Sequence, residues 1–344
     1  MTHSPASESR EPVSSDAKVQ FLSDPAAYPQ GPERVEPIET HMAWVFLTER
    51  HAYKMKKPVR YDDMDFRTVE RRQWACQEEV RLNRRLAGDV YQGVVPLVLD
   101  PNGDLHLGGA GDAIDWLVKM KRLPADRMLD TMIRQHTVEE ADVKRAAERL
   151  ATFYDAAEPV AVEPVPYRSR IEQNVDTTTR ALLQSAYGLP RPAIRSVSEA
   201  QAAFLRREAD LLQQRVRRNR IIEGHGDLRP QHVCLTDPPV IFDCLEFDRS
   251  LRLLDPADEL AFLAVECERL GAPSIGQILF GTYAEVTGDQ PPERLIHFYQ
   301  SYRALQRARI AVRHTRRPDT TDEQRWADQA RLYLRLARQH IEAA

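Results

Sequence analysis

Two short apolar runs open the patterned part of the chain, AWVFLTER from Ala43 and HAYKMKKPV from His51, with a polar break between them; this predicts a β-hairpin. From Phe66 to Leu86 apolar residues recur at helical spacing with charges opposite, which predicts an amphipathic helix. GVVPLVLD, LHLGG and AIDWLVKMKRLP then read as three strands. Strands, helix and strands in that order predict a small antiparallel sheet with one helix against it.

After Pro124 the pattern turns helical. TVEEADVKRAAERLATFYDAA offers Thr137 and Glu140 as a capping box. A further helix is predicted from Glu199 towards Arg218, and three more over DPADELAFLAVECERL, LIHFYQSYRALQRARIAVRH and DEQRWADQARLYLRLARQHIEAA. Only a hairpin around Thr236 to Pro239 interrupts them. The Arg run RVRRNR reads as the wet face of a helix, and Tyr302, Arg303 and Arg307 as core packing rather than an acceptor cleft. The predicted organisation is a flexible tail over 1–33, a sheet-rich lobe over 34–123 and a helical lobe over 124–344. The tail follows from its Ser, Pro, Glu and Gly content, too poor in bulky apolar residues to fold alone.

Composition narrows the class. The chain, 42% hydrophobic and 29% charged, has the composition of a soluble globular protein, and its 344 residues suffice for two domains or for one large bilobal unit with a sizeable core. The net charge of −4 is spread through interspersed acids and bases, so neither nucleic acid nor an anionic membrane is an expected partner. The start carries no basic-then-apolar order and no run is long enough to span a bilayer, making cytoplasm the expected location. Cys76, Cys234, Cys244 and Cys267 lack metal-ligand spacing and read as small buried hydrophobes.

The chemistry is concentrated in IIEGHGDLRPQHVCLTDPPVIFDCLEF, Ile221 to Phe247. Phosphoryl transfer from ATP needs a base near the acceptor hydroxyl, oxygen or nitrogen ligands for Mg²⁺ and a Lys on the phosphates. Asp227, on a loop after an apolar run, can orient or deprotonate a hydroxyl. His232, five residues on, lies where the loop can turn back to a metal, and Asp243, closing VIFD, can reach it from the adjacent strand. His225 reads as a structural ring that holds the loop.

HGDLRPQH followed by IFD resembles the catalytic loop and metal-binding Asp of the protein-kinase-like superfamily, closest to its aminoglycoside phosphotransferase-like branch. LDPADELAFL resembles that branch's next segment, with Asp255 matching its buried loop-holding Asp and Glu259 replacing a second Asp. ETHMAWVFLTERHAYKMKKPV and EEVRLNRRLAGDVYQGVVPL are similar to an uncharacterised bacterial subgroup whose members are sometimes fused to a P-loop ATPase domain; no GxxxxGK[ST] occurs here. The resemblance covers roughly Glu39 to Leu263 and implies an α+β, two-lobed protein-kinase-like fold.

By the same resemblance Lys54 matches the strand lysine on the nucleotide phosphates, with Lys56 on the same strand face as fallback. Glu79 matches its helix partner, with Glu78 as alternative. Lys121, Arg122 and Leu123 match the hinge whose backbone holds adenine. Arg229 falls where protein kinases carry a Lys against the transferred phosphoryl group. Two departures stand out. IETHM replaces a Gly-rich phosphate loop, and His232 replaces an Asn, a change that favours softer ions such as Mn²⁺ over Mg²⁺. The implied activity is ATP- and Mg²⁺-dependent phosphorylation of a small-molecule hydroxyl, the acceptor being the expected partner. The alternative is a nucleotide-binding pseudokinase that regulates a protein.

Overall fold

The computed structural model describes residues 13–61, 64–184, 188–315 and 323–344. The chain divides into two compact units, Met1–Arg122 and Leu123–Ala344.

In the first unit, β1 (Glu36–Glu39), β2 (Ala43–Leu47) and β3 (His51–Lys56) form a meander. After the short pair β4 (Arg60–Tyr61) and β5 (Met64–Asp65) comes α2 (Val69–Ala87), then β6 (Tyr91–Leu99), β7 (Leu105–Leu107) and β8 (Asp112–Lys121). The main sheet is antiparallel in the order β1-β2-β3-β8-β6-β7. Helix α2 starts where Thr68 accepts a bond from the Arg71 N–H, and it stops at Gly88, whose φ of +55° suits glycine. Of these, β2, β3, α2, β6, β7 and β8 are the elements the apolar pattern predicts, and β1, β4 and β5 are additions to it.

Strand alternation divides β3 between two faces. Tyr53 and Met55 share a core with Phe46, Leu97 and Leu117, while Lys54 and Lys56 lie on the opposite face. The first core corrects the expectation of a flexible tail over 1–33. Residues 13–33 hold a helix, α1 (Ser15–Leu22), capped by the Ser14 hydroxyl, and Leu22 and Tyr28 are buried in that core. Lys18 Nζ lies 2.8 Å from Asp115 Oδ2, and the same carboxylate takes Arg72 Nε at 2.6 Å. A segment too poor in bulky apolar residues to fold alone can still dock. Docking onto an existing sheet face needs only a few large apolar side chains and one ion pair. Residues 1–12 of the expected tail lie outside the described residues.

The second unit is helical: α3 (Leu129–Gln135), α4 (Glu140–Ala156), α5 (Pro164–Leu183), α6 (Arg191–Arg207), α7 (Ala209–Arg217), α8 (Pro256–Arg269), α9 (Ser274–Thr287), α10 (Glu293–Thr315) and α11 (Glu323–Glu342). Two-residue strands thread its centre: β9 (Ile222–Glu223) pairs with β12 (Leu253–Leu254), and β10 (Val233–Cys234) with β11 (Val240–Ile241), the predicted hairpin. Three local expectations change. Helix α4 begins after Glu139 without a side-chain cap, and the Thr137 hydroxyl donates back to the Met132 carbonyl instead. The helix expected over 199–218 is two, broken at Glu208. Arg215, read as wet, is buried in a fork onto Asp255 at 2.7 Å and also meets Asp289.

Helix α8 is buried from Pro256 to Cys267, so its charged residues need partners. Arg303 forks onto Asp258, and Arg307 and the Tyr333 hydroxyl meet Glu266. With Tyr302 in the core, these three α10 residues pack as the sequence predicts. The four cysteines are buried and outside disulfides. Among the described residues no helix is long and apolar enough to cross a membrane.

Candidate active site

In the first unit the Glu79 carboxylate, fully buried on α2, lies 2.9 Å from Lys54 Nζ and 2.6 Å from Lys56 Nζ. Both lysines fall on one face because β3 alternates, and α2 packs across that face. Lys56 is the more enclosed, its ammonium also 5.2 Å from the Phe66 ring centre. Lys54 keeps 17% side-chain exposure, against 2% for Lys56. Glu78 turns outward to Arg81. Lys121 pairs with Asp89 across the surface. Arg122 gives its backbone N–H to the Arg50 carbonyl and its guanidinium to the Thr48 carbonyl at 2.8 Å. That N–H is committed to the sheet and so is not one of the backbone groups near Lys121 to Leu123 left for an adenine ring. Leu123, where the second unit begins, is half-buried.

In the second unit, β9 delivers the chain into the 225–232 loop and the β10–β11 hairpin returns it to Asp243. Gly226 has φ +87°, and a Cβ there would stand 3.0 Å from Arg252 Cγ, so glycine is required on conformational and steric grounds alike. The loop's backbone is bound on all sides. The Glu259 carboxylate, 1% exposed, accepts the N–H of His225 at 2.8 Å, that of Gly226 at 2.6 Å, and the Tyr154 hydroxyl at 2.9 Å. Burial and that carboxylate keep the Tyr154 phenol protonated, its pKa raised well above the ordinary value. His225 Nδ1 lies 3.3 Å from the Asp227 N–H, so Nε2 carries the ring proton and donates to the Phe242 carbonyl at 2.8 Å. The ring is structural, as the sequence suggests.

Glu259, not Asp255, therefore holds the 225–232 loop; Asp255 caps α8 and pairs with Arg215. Resemblance alone missed this assignment. The available signal was a carboxylate inside the apolar run ELAFLAVEC, where burial demands a partner.

Asp227, Arg229, His232 and Asp243 come together. Arg229 Nη2 is 2.7 Å from Asp227 Oδ2 and 3.2 Å from His232 Nε2, and the latter nitrogen is 3.4 Å from Asp243 Oδ2. His232 Nδ1 lies 2.8 Å from the Asp227 carbonyl, which can only accept, so Nδ1 bears the proton and Nε2 presents a lone pair. Burial first, then the Arg229 charge, lower the His232 pKa to about 4, leaving the ring neutral near pH 7. Asp243 adopts φ +61°, a left-handed turn that Asp tolerates better than most residues. A bare imidazole nitrogen beside a carboxylate fits a divalent cation that completes its shell with water and phosphate oxygens. Among the described residues no group of three or more His, Cys, Asp and Glu side chains could hold a metal ion.

No protein-family model matches the chain. An uncharacterised protein of Mycobacterium bovis and one from each of two Mycobacterium tuberculosis strains are 33% identical over 318 residues, covering 90% of this chain and 60% of each relative. The chain thus spans less than two thirds of the length of the curated relatives it matches. Among solved structures, the choline/ethanolamine kinase family protein of Mesorhizobium loti is similar with a TM-score of 0.52 and 14% identity, over 93% of this chain and 98% of that one. The choline kinase of Cryptosporidium parvum gives 0.53 and 9%, over 95% and 97%. Aminoglycoside 2′-phosphotransferase-IIIa with GDP gives 0.51 and 15%, over 90% and 93%. At such identities the likeness is one of fold. The fold is the one that these kinases and phosphotransferases share.

Proposed function

We propose that the chain transfers the terminal phosphoryl group of a nucleoside triphosphate, ATP with Mg²⁺, to a hydroxyl of a small molecule. The reading rests on one observation above the others: Asp227, His232 and Asp243 meet on a loop whose backbone is pinned by Glu259 and His225. Asp227 accepts the acceptor's hydroxyl proton as that oxygen bonds to phosphorus, and the bond from phosphorus to the bridging oxygen breaks to release the nucleoside diphosphate. Asp243 and His232 hold the divalent cation, whose charge, when bound, offsets that of the phosphates. Lys54, oriented by Glu79, contacts the phosphates.

The regulatory alternative drew its support from His232 in place of Asn. A neutral ring whose Nε2 carries no proton and stands beside Asp243 is a competent ligand, which favours the catalytic reading. Because the similar aminoglycoside 2′-phosphotransferase is a GDP complex, GTP is tested beside ATP.

Thermal melts with millimolar nucleotide and Mg²⁺ or Mn²⁺ come first. Ligand at about 100 times its dissociation constant stabilises the folded state by roughly 2.7 kcal/mol. A metabolite-pool screen for nucleotide-dependent phosphorylation follows, with Asp227→Asn as the blank. No shift with any nucleotide and metal sinks the reading.

A further inference from the structure

Arg229 sits where a metal would have to go. Its Nη2 lies 3.2 Å from His232 Nε2, on the one lone pair that ring has to offer, and 2.7 Å from Asp227 Oδ2. Nδ1 is committed to the Asp227 carbonyl, so the ring cannot serve a metal from its other side. A nitrogen lone pair has a single direction and a single occupant, and a divalent cation there would also face the guanidinium charge within a few ångström. The two cations exclude each other. Arg229 is moreover not at its best in this seat: its Nε is buried without a hydrogen-bond partner.

We propose that Arg229 is an internal cation of the metal-free site, covering the His232 lone pair and the Asp227 carboxylate together, and that arrival of the divalent ion displaces it. One exchange then does two things. The ion gains its nitrogen ligand beside Asp243, and the carboxylate that takes the acceptor's proton is uncovered. The base is thereby exposed only in protein already loaded with metal. This rests on the phosphotransferase reading, and Arg229 acts in it as a positioning residue.

The test is Mn²⁺ binding to nucleotide-free protein, followed by electron paramagnetic resonance, in the native chain, Arg229→Met, Arg229→Lys and His232→Asn, plus the Arg229→Met/His232→Asn double variant. Arg229→Met should bind Mn²⁺ at least tenfold tighter than the native chain. Arg229→Lys, which keeps the charge but not the planar fork, should fall between them, and it carries the comparison if the Met variant does not fold. With His232→Asn in place the gain from Arg229→Met should shrink severalfold, because an amide oxygen has two lone pairs and can serve the metal without Arg229 leaving, whereas the imidazole has only one to offer. Equal Mn²⁺ affinity in native and Arg229 variants, a gain undiminished by His232→Asn, or no Mn²⁺ binding by any variant overturns the proposal. A Mg-ATP thermal shift in the native chain beside any of these results leaves the phosphotransferase reading standing, whereas its absence removes that reading first.

Discussion

Replacing Glu259 separates the roles of charge, reach and space in holding the loop that carries Asp227. Glu259→Ala strands two buried backbone donors, at His225 and Gly226, together with the Tyr154 hydroxyl. An unsatisfied buried polar group costs about 1–3 kcal/mol, so the three sum to roughly 3–9 kcal/mol before water enters. That is a large share of the roughly 5–15 kcal/mol that holds a typical domain folded. Glu259→Gln should cost only about 1–2 kcal/mol. Its carbonyl can take both backbone N–H groups at the Oε1 position while its amide donates to the Tyr154 oxygen, so the loss is the charge-assisted part of each bond. Glu259→Asp keeps the charge but is one methylene shorter, which carries donors now at 2.6–2.9 Å beyond hydrogen-bond range; it should cost nearly as much as Ala. Gly224 supplies the room for the longer acid, since a Cβ there would lie 2.7 Å from Glu259 Oε2. Gly224→Ala should therefore destabilise the native chain but cost markedly less in Glu259→Asp, a non-additive pair. Urea midpoints of the four single variants and the double variant give the order. If Glu259→Asp is as stable as Glu259→Gln, the clamp does not depend on reach and the reasoning fails.

Three further expectations follow from other parts of the chain. Glu79→Gln leaves two lysines without their shared carboxylate, one of them buried, and should cost about 3–5 kcal/mol by chemical denaturation, whereas Lys54→Met should cost far less and act chiefly on nucleotide affinity. Leu22→Ala should lower stability by about 2–5 kcal/mol if α1 is an integral part of the first unit, and a change under about 0.5 kcal/mol would return that segment to the status of a tail. In metal-free protein burial lowers the His232 pKa to about 4 from the ordinary 6.5, so the unfolded chain binds the extra proton between those pH values. Its contribution is whole above pH 6.5 and is lost as pH falls towards 4, by about 3 kcal/mol at 1.36 kcal/mol per unit, and His232→Asn should flatten that limb of the stability profile.

The legible parts of this chain are those where one local signal decides. Period-two alternation and a polar break sufficed for β2 and β3, and periodicity near 3.6 for α2, because each packs a single face. The HGD loop and IFD strand end were legible because Gly226 and Asp243 answer backbone demands that few other residues meet. What escaped was decided by tertiary partners. Helix α1 has weak amphipathicity and is held by a distant Asp115; Arg215 looks like any helix-surface Arg until Asp255 and Asp289 close on it. The exchange of roles between Asp255 and Glu259 is of the same kind. Both are carboxylates on one helical segment, four residues apart and so close to the same face, and only the far ends of their side chains tell them apart.

The bracing also bears on how Asp227 could act. The N–H groups of His225, Gly226 and Asp227 go to Glu259 and to the His225 ring, and the His225 and Asp227 carbonyls accept from Leu245 and His232. Almost nothing in this stretch of backbone can shift without breaking a buried bond, so the carboxylate is presented from a fixed mount, which is what orientation of a reacting group requires. Its own contact is of a different sort. Arg229 is a long side chain with one unmet buried donor, holding Asp227 through a single 2.7 Å bond. Rigidity in the loop and softness in its cover are therefore carried by different residues. A variant that loosens the mount, such as Glu259→Ala, should depress turnover whatever metal is supplied, whereas one that changes the cover, Arg229→Met, should alter metal affinity first.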